Sequence, residues 1–229
     1  MKKFIRKVIS ENSTKYLMIM SGFSVFLSLC RIIYTAQNMY AFLLWNLFLA
    51  FVPWIIAKLL ESKNFKKRIE IPVIIIWLLM FPNAPYLFTD LIHLGKNPFA
   101  PRWFDITLLL SYGMTGFAFG FYSLRTIEGK IKKYFRGINP FFIKAFIIYL
   151  SSYGIYLGRF LRWNSWDIIT NFVPLVRDVF KTIKHPVQNA AAWGFTILFG
   201  TLLNILFFIL EAVSTGCDSS AVRIDVKVY

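Results

Sequence analysis

Asp90 and His93 stand three residues apart in the stretch FPNAPYLFTDLIHL, Phe81 to Leu94. On a helix that spacing puts both side chains on one face. A carboxylate beside an imidazole can position a polar group or move a proton, because histidine titrates near neutrality. A second polar cluster, GRFLRWNSWD from Gly158 to Asp167, holds Arg159, Arg162, Asn164 and Asp167. Guanidinium groups fork onto carboxylate or phosphate oxygens and stack on tryptophan. A helix continuing through this cluster would put Arg159, Trp163 and Asp167 on one face and Arg162 over Trp166. Asp90 and His93 are therefore the candidate catalytic pair. Asn83, Asp105, Arg159, Arg162, Asn164 and Asp167 are the candidate substrate-binding residues.

The elements that must hold these residues are membrane helices. The chain of 229 residues is 57% hydrophobic and 16% charged, with long apolar runs along its whole length. Soluble domains carry roughly a quarter charged residues, so this composition belongs to the membrane class. Six spans are expected near Tyr16–Ile33, Met39–Ala57, Ile71–Leu91, Ile106–Leu124, Pro140–Gly158 and Ala190–Val213. Pro72 and Pro140 suit first helical turns, and Asn139, Asp105 and Asn189 stand where capping side chains would. They form one membrane domain, 16–213, between a basic tail, 1–15, and a C-terminal tail, 214–229, whose alternation after Ala221 suits a mobile end or an added strand.

The net charge of +15 would suit nucleic acid, but its distribution argues for membrane topology. Lys and Arg concentrate in the N-terminal tail, the loops around 58–68 and 125–136, and the C-terminal tail. By the positive-inside rule those segments are cytoplasmic, so both termini are inside. Lys144, one turn into the fifth span, is expected to snorkel. The loop from Arg159 to Asn189 breaks the pattern, facing outward with Arg159, Arg162, Arg177, Lys181 and Lys184. Within it, about 168–185 reads as an amphipathic helix on the outer surface, either a lid on the bundle or a lipid-sensing helix. Cys30 and Cys217 fall on opposite sides, so no disulfide is expected.

From Ile71 to Phe81 a helix rises only about 16 Å, half of a ~30 Å hydrocarbon core. Pro82 and Pro85 therefore interrupt the third span near mid-depth. One reading is a proline kink whose neighbours satisfy the freed backbone groups. The other is a broken helix, capped by Asn83, whose second half faces an anionic ligand. A transporter-like site would have a cavity reaching this interruption; a surface enzyme would have a pocket closed below Asp90. Glycines in GMTGFAFG and at Gly154 and Gly158 are expected to pack helices closely, and Asn46 and Asn204 to bond between helices.

FPNAPYLFTDLIHL together with GRFLRWNSWD resembles a family of bacterial integral membrane proteins, the domain of unknown function thirteen sixty-one. The likeness covers the second span to the sixth. It implies a polytopic bacterial membrane protein and carries over no activity or catalytic residue.

The chain shows no P-loop, G-x-G-x-x-G, G-x-S-x-G or H-E-x-x-H pattern. Its two histidines, His93 and His185, lie on different segments, and neither a metal nor a cofactor is assigned. The expectation is a six-span protein of the bacterial plasma membrane. Its outward-facing Asp/His/Arg site would bind an anionic envelope lipid head group or another phosphate-bearing substrate. The rival expectation is an accessory or scaffold protein in which the same polar residues pair to hold helices together.

Overall fold

The computed structural model describes residues 11–63, 65–95, 99–135 and 137–225, with side chains through Ser214. Regular structure among them is helical throughout. Helix α1 spans Asn12–Thr35, α2 Phe42–Ser62 and α3 Lys67–Met80. A short helix, α4 (Asn83–Tyr86), leads into a 3-10 helix over Leu87–His93. Then come α5 (Arg102–Tyr134), α6 (Pro140–Phe160), α7 (Asp167–Thr170), α8 (Phe172–Lys184) and α9 (Ala190–Asp225). Six helical stretches among the described residues are long and apolar enough to cross a membrane, with Lys67–His93 counting as one. The protein is an all-α, multi-pass membrane protein.

Each expected span falls on one of these stretches, but the helices outrun the apolar runs. Ile106–Leu124 becomes Arg102–Tyr134, and the third helix begins at Lys67, which leaves Pro72 inside it rather than at its start. Hydropathy detects only what faces apolar surroundings; the backbone ladder continues into polar turns whose charges find partners. At the end of the bundle where α1 begins, Lys58 binds Glu11 and Glu61, and buried Glu70 accepts from Lys133 and Tyr134. Lys144 pairs with Glu211 and Glu128 instead of reaching to the interface alone. Lys2, Lys3, Arg6, Lys7, Lys96, Arg136 and Lys227 lie outside the described residues, and the side chains of Cys217 and Arg223 lie outside the described ones. Beyond Ala221 the backbone stays helical to Asp225, not extended.

Helix α5 is the centre of the bundle, the most buried of the spans. It packs against α1, α2, α4 and the 3-10 helix, while α9 packs on α6. Leu108, Leu109, Tyr112, Phe119 and Leu124 of α5 are buried. Polar bonds cross the packing: Ser28 meets the Tyr112 hydroxyl at 2.7 Å, and Trp77 Nε1 donates to Ser123 Oγ at 2.7 Å.

Two glycine rails grip the proline segment. On α5, a Cβ at Gly116 would stand 2.4 Å from the Ala84 carbonyl oxygen, and one at Gly113 would stand 3.0 Å from the Phe88 ring. On α6, Gly154 faces Pro82 and Gly158 faces Tyr86. The missing side chains let the backbone of Phe81–Phe88 sit directly against both helices, the close approach expected of small residues in membrane packing.

Candidate functional site

Hydrogen bonding through the proline segment follows from what proline lacks. Without N–H groups at Pro82 and Pro85, the regular ladder stops at Met80, although Phe81, Pro82, Tyr86 and Leu87 keep right-handed helical angles. Ala84 N–H bonds Phe81 O at 3.1 Å, one residue short of the α pattern. Asn83 does not cap a new helix, as the sequence suggested. Its amide donates back to the Met80 carbonyl at 3.0 Å, a group the tightened turn leaves open, and reaches Ser165 Oγ at 3.2 Å.

The tighter 3-10 turn carries Asp90 and His93 to the bundle end opposite the start of α1. Asp90 is fully buried there. The Arg159 guanidinium pairs with one Asp90 oxygen, and Asn46 of α2 donates to the other at 3.0 Å. Arg159 Nε donates to Thr89 Oγ1 at 3.0 Å, and a terminal nitrogen lies 3.2 Å from His93 Nε2. Arginine only donates, so a hydrogen bond between the two is accepted by Nε2. The guanidinium also lies 4.3 Å from the Tyr86 ring centroid. Arg159 thus meets Tyr86, Thr89, Asp90 and His93 of one short segment, and Asn46 makes the interhelical bond expected of it. Asn204 does not; its amide bonds Gly200 O on its own helix at 2.7 Å.

The second cluster does not continue as a helix. Helix α6 ends at Phe160, and Arg162 takes a left-handed conformation, φ 60°. For a residue with a Cβ that costs about 1–2 kcal/mol. The turn closes with Trp163 N–H donating to Leu157 O at 3.1 Å. Arg159, Trp163 and Asp167 therefore share no face, and of the cluster's two arginines it is Arg159 that lies over an aromatic ring, that of Tyr86. Arg162 is exposed, and no hydrogen bond or ion pair engages it among the described residues.

Asp167 organises the turn locally. One oxygen accepts from the Asn164 backbone N–H at 2.7 Å; the other accepts from Asn171 at 2.9 Å and Thr170 at 3.2 Å. The Asn171 amide first, then the Asn164 N–H, holds the Asp167 carboxyl below its usual range. Trp163 Nε1 donates to Asp178 on α8 at 3.0 Å, and Trp193 Nε1 to the Thr182 carbonyl at 3.2 Å, so both tryptophans moor α8 to the bundle. Asn189, expected to cap α9, donates instead to His185 O at 2.9 Å; Asn139 does cap α6, accepting from Phe141 N–H at 2.9 Å.

Asp105 stands apart from the Asp90 cluster. It lies in the first turn of α5, where its carboxylate takes a two-pronged bond from Arg31 of α1, 2.7 and 3.3 Å, with both residues buried. Arg31 also lies 4.2 Å from the Tyr40 ring centroid. Tyr40 OH donates to the His93 carbonyl at 3.1 Å, linking the two ion pairs. Arg31 stands near the end of α1, which runs on to Thr35. A lone Arg at the end of an apolar helix, with a lone Asp opening another, was the available signal.

Between α2, the proline segment, α6 and α8 lies a cavity of about 440 Å³. Leu49, Leu78, Leu79, Leu150, Leu157, Leu175 and Val179 make most of its wall, with Trp45, Trp163 and Trp166. Asn46, Asn83, Tyr86, Asn164 and Ser165 contribute the polar groups, and the cavity reaches Pro82. Of the expected site residues, Asn83 and Asn164 line it. Asp90 and Arg159 lie behind two of its walls, Asn46 and Tyr86. Among the described residues no three His, Cys, Asp or Glu side chains come together as metal ligands.

No curated protein and no solved structure matches the chain. The family model described as "Protein of unknown function (DUF1361)" matches residues 45–206, from the cavity wall of α2 into the last span. That match takes in every residue of the cavity and of the Asp90–Arg159 cluster, and the chain belongs to this family.

Proposed function

We propose that this protein binds an amphiphilic envelope lipid with an anionic, phosphate-bearing head group. The apolar chain would occupy the cavity between α2, α3 and α6, and the head group its rim at Asn164, beside the exposed Arg162. The cavity carries this reading: an apolar slot with a few convergent amides and hydroxyls is the chemistry of an amphiphile site. Arg162 supports it, since a cation held in a strained backbone with no protein partner is available to an anion. Arg159 is already neutralised by Asp90, so its role is positioning: with Asp90 and His93 it sets Asn46 and Tyr86 in the cavity wall. The depth of the cavity, reaching Pro82 and Asn83, favours a transporter-like site over a pocket closed below Asp90.

The excess of Lys and Arg toward the end where α1 begins supports placing both termini in the cytoplasm and the cavity on the outer side of a bacterial plasma membrane. A scaffold reading has one observation in its favour: each buried ion pair, Arg31–Asp105 and Arg159–Asp90, ties two spans together.

The test compares membranes from cells making the native chain and the Arg162→Ala and Leu79→Trp variants, each purified in mild detergent with its bound lipids identified by mass spectrometry. The expected result is an anionic lipid that copurifies with the native chain and is depleted about tenfold or more in both variants at equal abundance. Identical lipid content in all three would leave the scaffold reading standing and remove this one.

A further inference from the structure

Helix α8 divides its circumference into three stripes. Leu175, Asp178, Val179 and Thr182 turn to the bundle: two line the cavity, one binds Trp163 and one, through its carbonyl, binds Trp193. Phe172, Val176, Phe180 and Ile183 form a second stripe at the same helical spacing, and three of these are more than half exposed, at 57%, 66% and 55%. Arg177, Lys181 and Lys184 form the third, all exposed. Ile169 and Val187, at 87% and 88% exposure, extend the apolar side beyond both ends of the helix.

Docking on the bundle explains the first stripe only. The second is a run of large apolar side chains with no protein covering it, and the third is wholly cationic. The helix's sole carboxylate, Asp178, is turned inward to Trp163. The surface left over therefore matches one partner in both chemistry and geometry: apolar groups to sink below a boundary, cations to stay at it, no anion to be repelled. We infer that α8 lies in the head-group layer of an anionic lipid surface, with its Phe172–Ile183 edge among the acyl chains and its Arg177–Lys184 edge on lipid phosphates. Since Leu175 and Val179 also wall the cavity, the lipid surface holds the cavity's cover in place. The inference concerns the outward edges of α8 and stands whether or not the cavity takes a lipid.

The test uses the full chain with Cys30→Ser and Cys217→Ser, reconstituted one molecule per nanodisc. Single spin labels are placed through Phe180→Cys, Ile183→Cys and Lys181→Cys, in discs of phosphatidylcholine alone or mixed with phosphatidylglycerol. Labels at 180 and 183 should collide more with oxygen than with a water-soluble nickel chelate, and the label at 181 the reverse. In the mixed discs, Arg177→Gln and Lys184→Gln should each lower the ratio of immersed to lifted label at 180 by about fivefold. Nickel collisions at 180 and 183 equal to those at 181 overturn the inference. So does immersion that is indifferent to phosphatidylglycerol, or protection that arises only when two chains share a disc, which would make the partner a second copy.

Discussion

The Arg159 guanidinium at the end of α6 closes on the Asp90 carboxylate of the 3-10 helix, joining two spans 69 residues apart in the chain. Asp90 is fully buried, and Asn46 takes its other oxygen. Each member of such a pair is costly without the other. Asp90→Ala or Arg159→Ala alone should lower stability by about 3–5 kcal/mol, and the double variant by clearly less than the sum. Thermal unfolding in detergent micelles measures all four corners of that cycle. Strictly additive losses would show that the two residues do not act as a pair.

Gly116→Ala should destabilise the bundle by about 1–3 kcal/mol, because its Cβ would meet a backbone oxygen that cannot rotate away. Gly120→Ala is the control one turn further on: its Cβ would find Ala84 at 3.5 Å, an ordinary contact. The same melting experiment, run on both, should separate them. Equal melting points would mean that the α4 segment does not pack on α5 as closely as described.

Asp105→Ala should lower the amount of folded protein in membranes, since it strands the buried Arg31 guanidinium. Asp105→Leu combined with Arg31→Leu should recover much of that loss. Quantitative immunoblotting of membranes, normalised to message, reads the effect. A normal level of Asp105→Ala protein that has lost its lipid would return Asp105 to the binding site.

Asp167 gives a pH dependence whose direction follows from its hydrogen bonds. Its folded carboxyl titrates below the ordinary 3.8, so the stabilisation of the 164–171 turn is complete above about pH 4 and is lost as pH falls through the lowered value. A spin label at Ile169→Cys in the cysteine-free chain should stay constrained from neutrality down to that point and loosen below it. With Asp167→Asn added, the label should be looser at neutral pH and insensitive to acid. A transition near pH 6, or one that survives Asp167→Asn, would assign the effect elsewhere.

Thr170, the last residue of α7, is exposed in the segment between α6 and α9. A single cysteine there should react with a membrane-impermeant maleimide added to intact cells, as the charge bias predicts. Labelling only after the cells are opened would invert the orientation.

The membrane class and the rough places of six spans follow from composition and hydropathy, because about 20 apolar residues must bridge the bilayer wherever they occur. The pairing of Asp90 and His93 on one turn follows from their spacing, and their meeting with Arg159 from the shared side of the membrane. The proline interruption was legible as a loss of backbone donors. Asn83's use of its side chain was not, since whether an amide donates backward or accepts forward depends on which carbonyl the turn leaves open.

What the linear pattern could not supply is the partner of each charge. Arg159 and Arg162 are the same residue type three positions apart, yet one is locked to Asp90 and the other is exposed and unpaired. The difference arises because α6 ends between them and the chain turns through a left-handed residue. Asp105 likewise belongs with Arg31 because α1 lies against α5, a neighbour relation between helices that hydropathy does not encode. Sequence determines which helices exist, through burial energies summed over twenty residues. Tertiary packing decides which side chains meet, through contacts of a few ångströms between segments far apart in the chain. In this protein that packing ties Asp90, Arg159 and Asp105 into contacts between helices, while Asn83 and Asn164 line the cavity and Arg162 stands exposed two residues before Asn164.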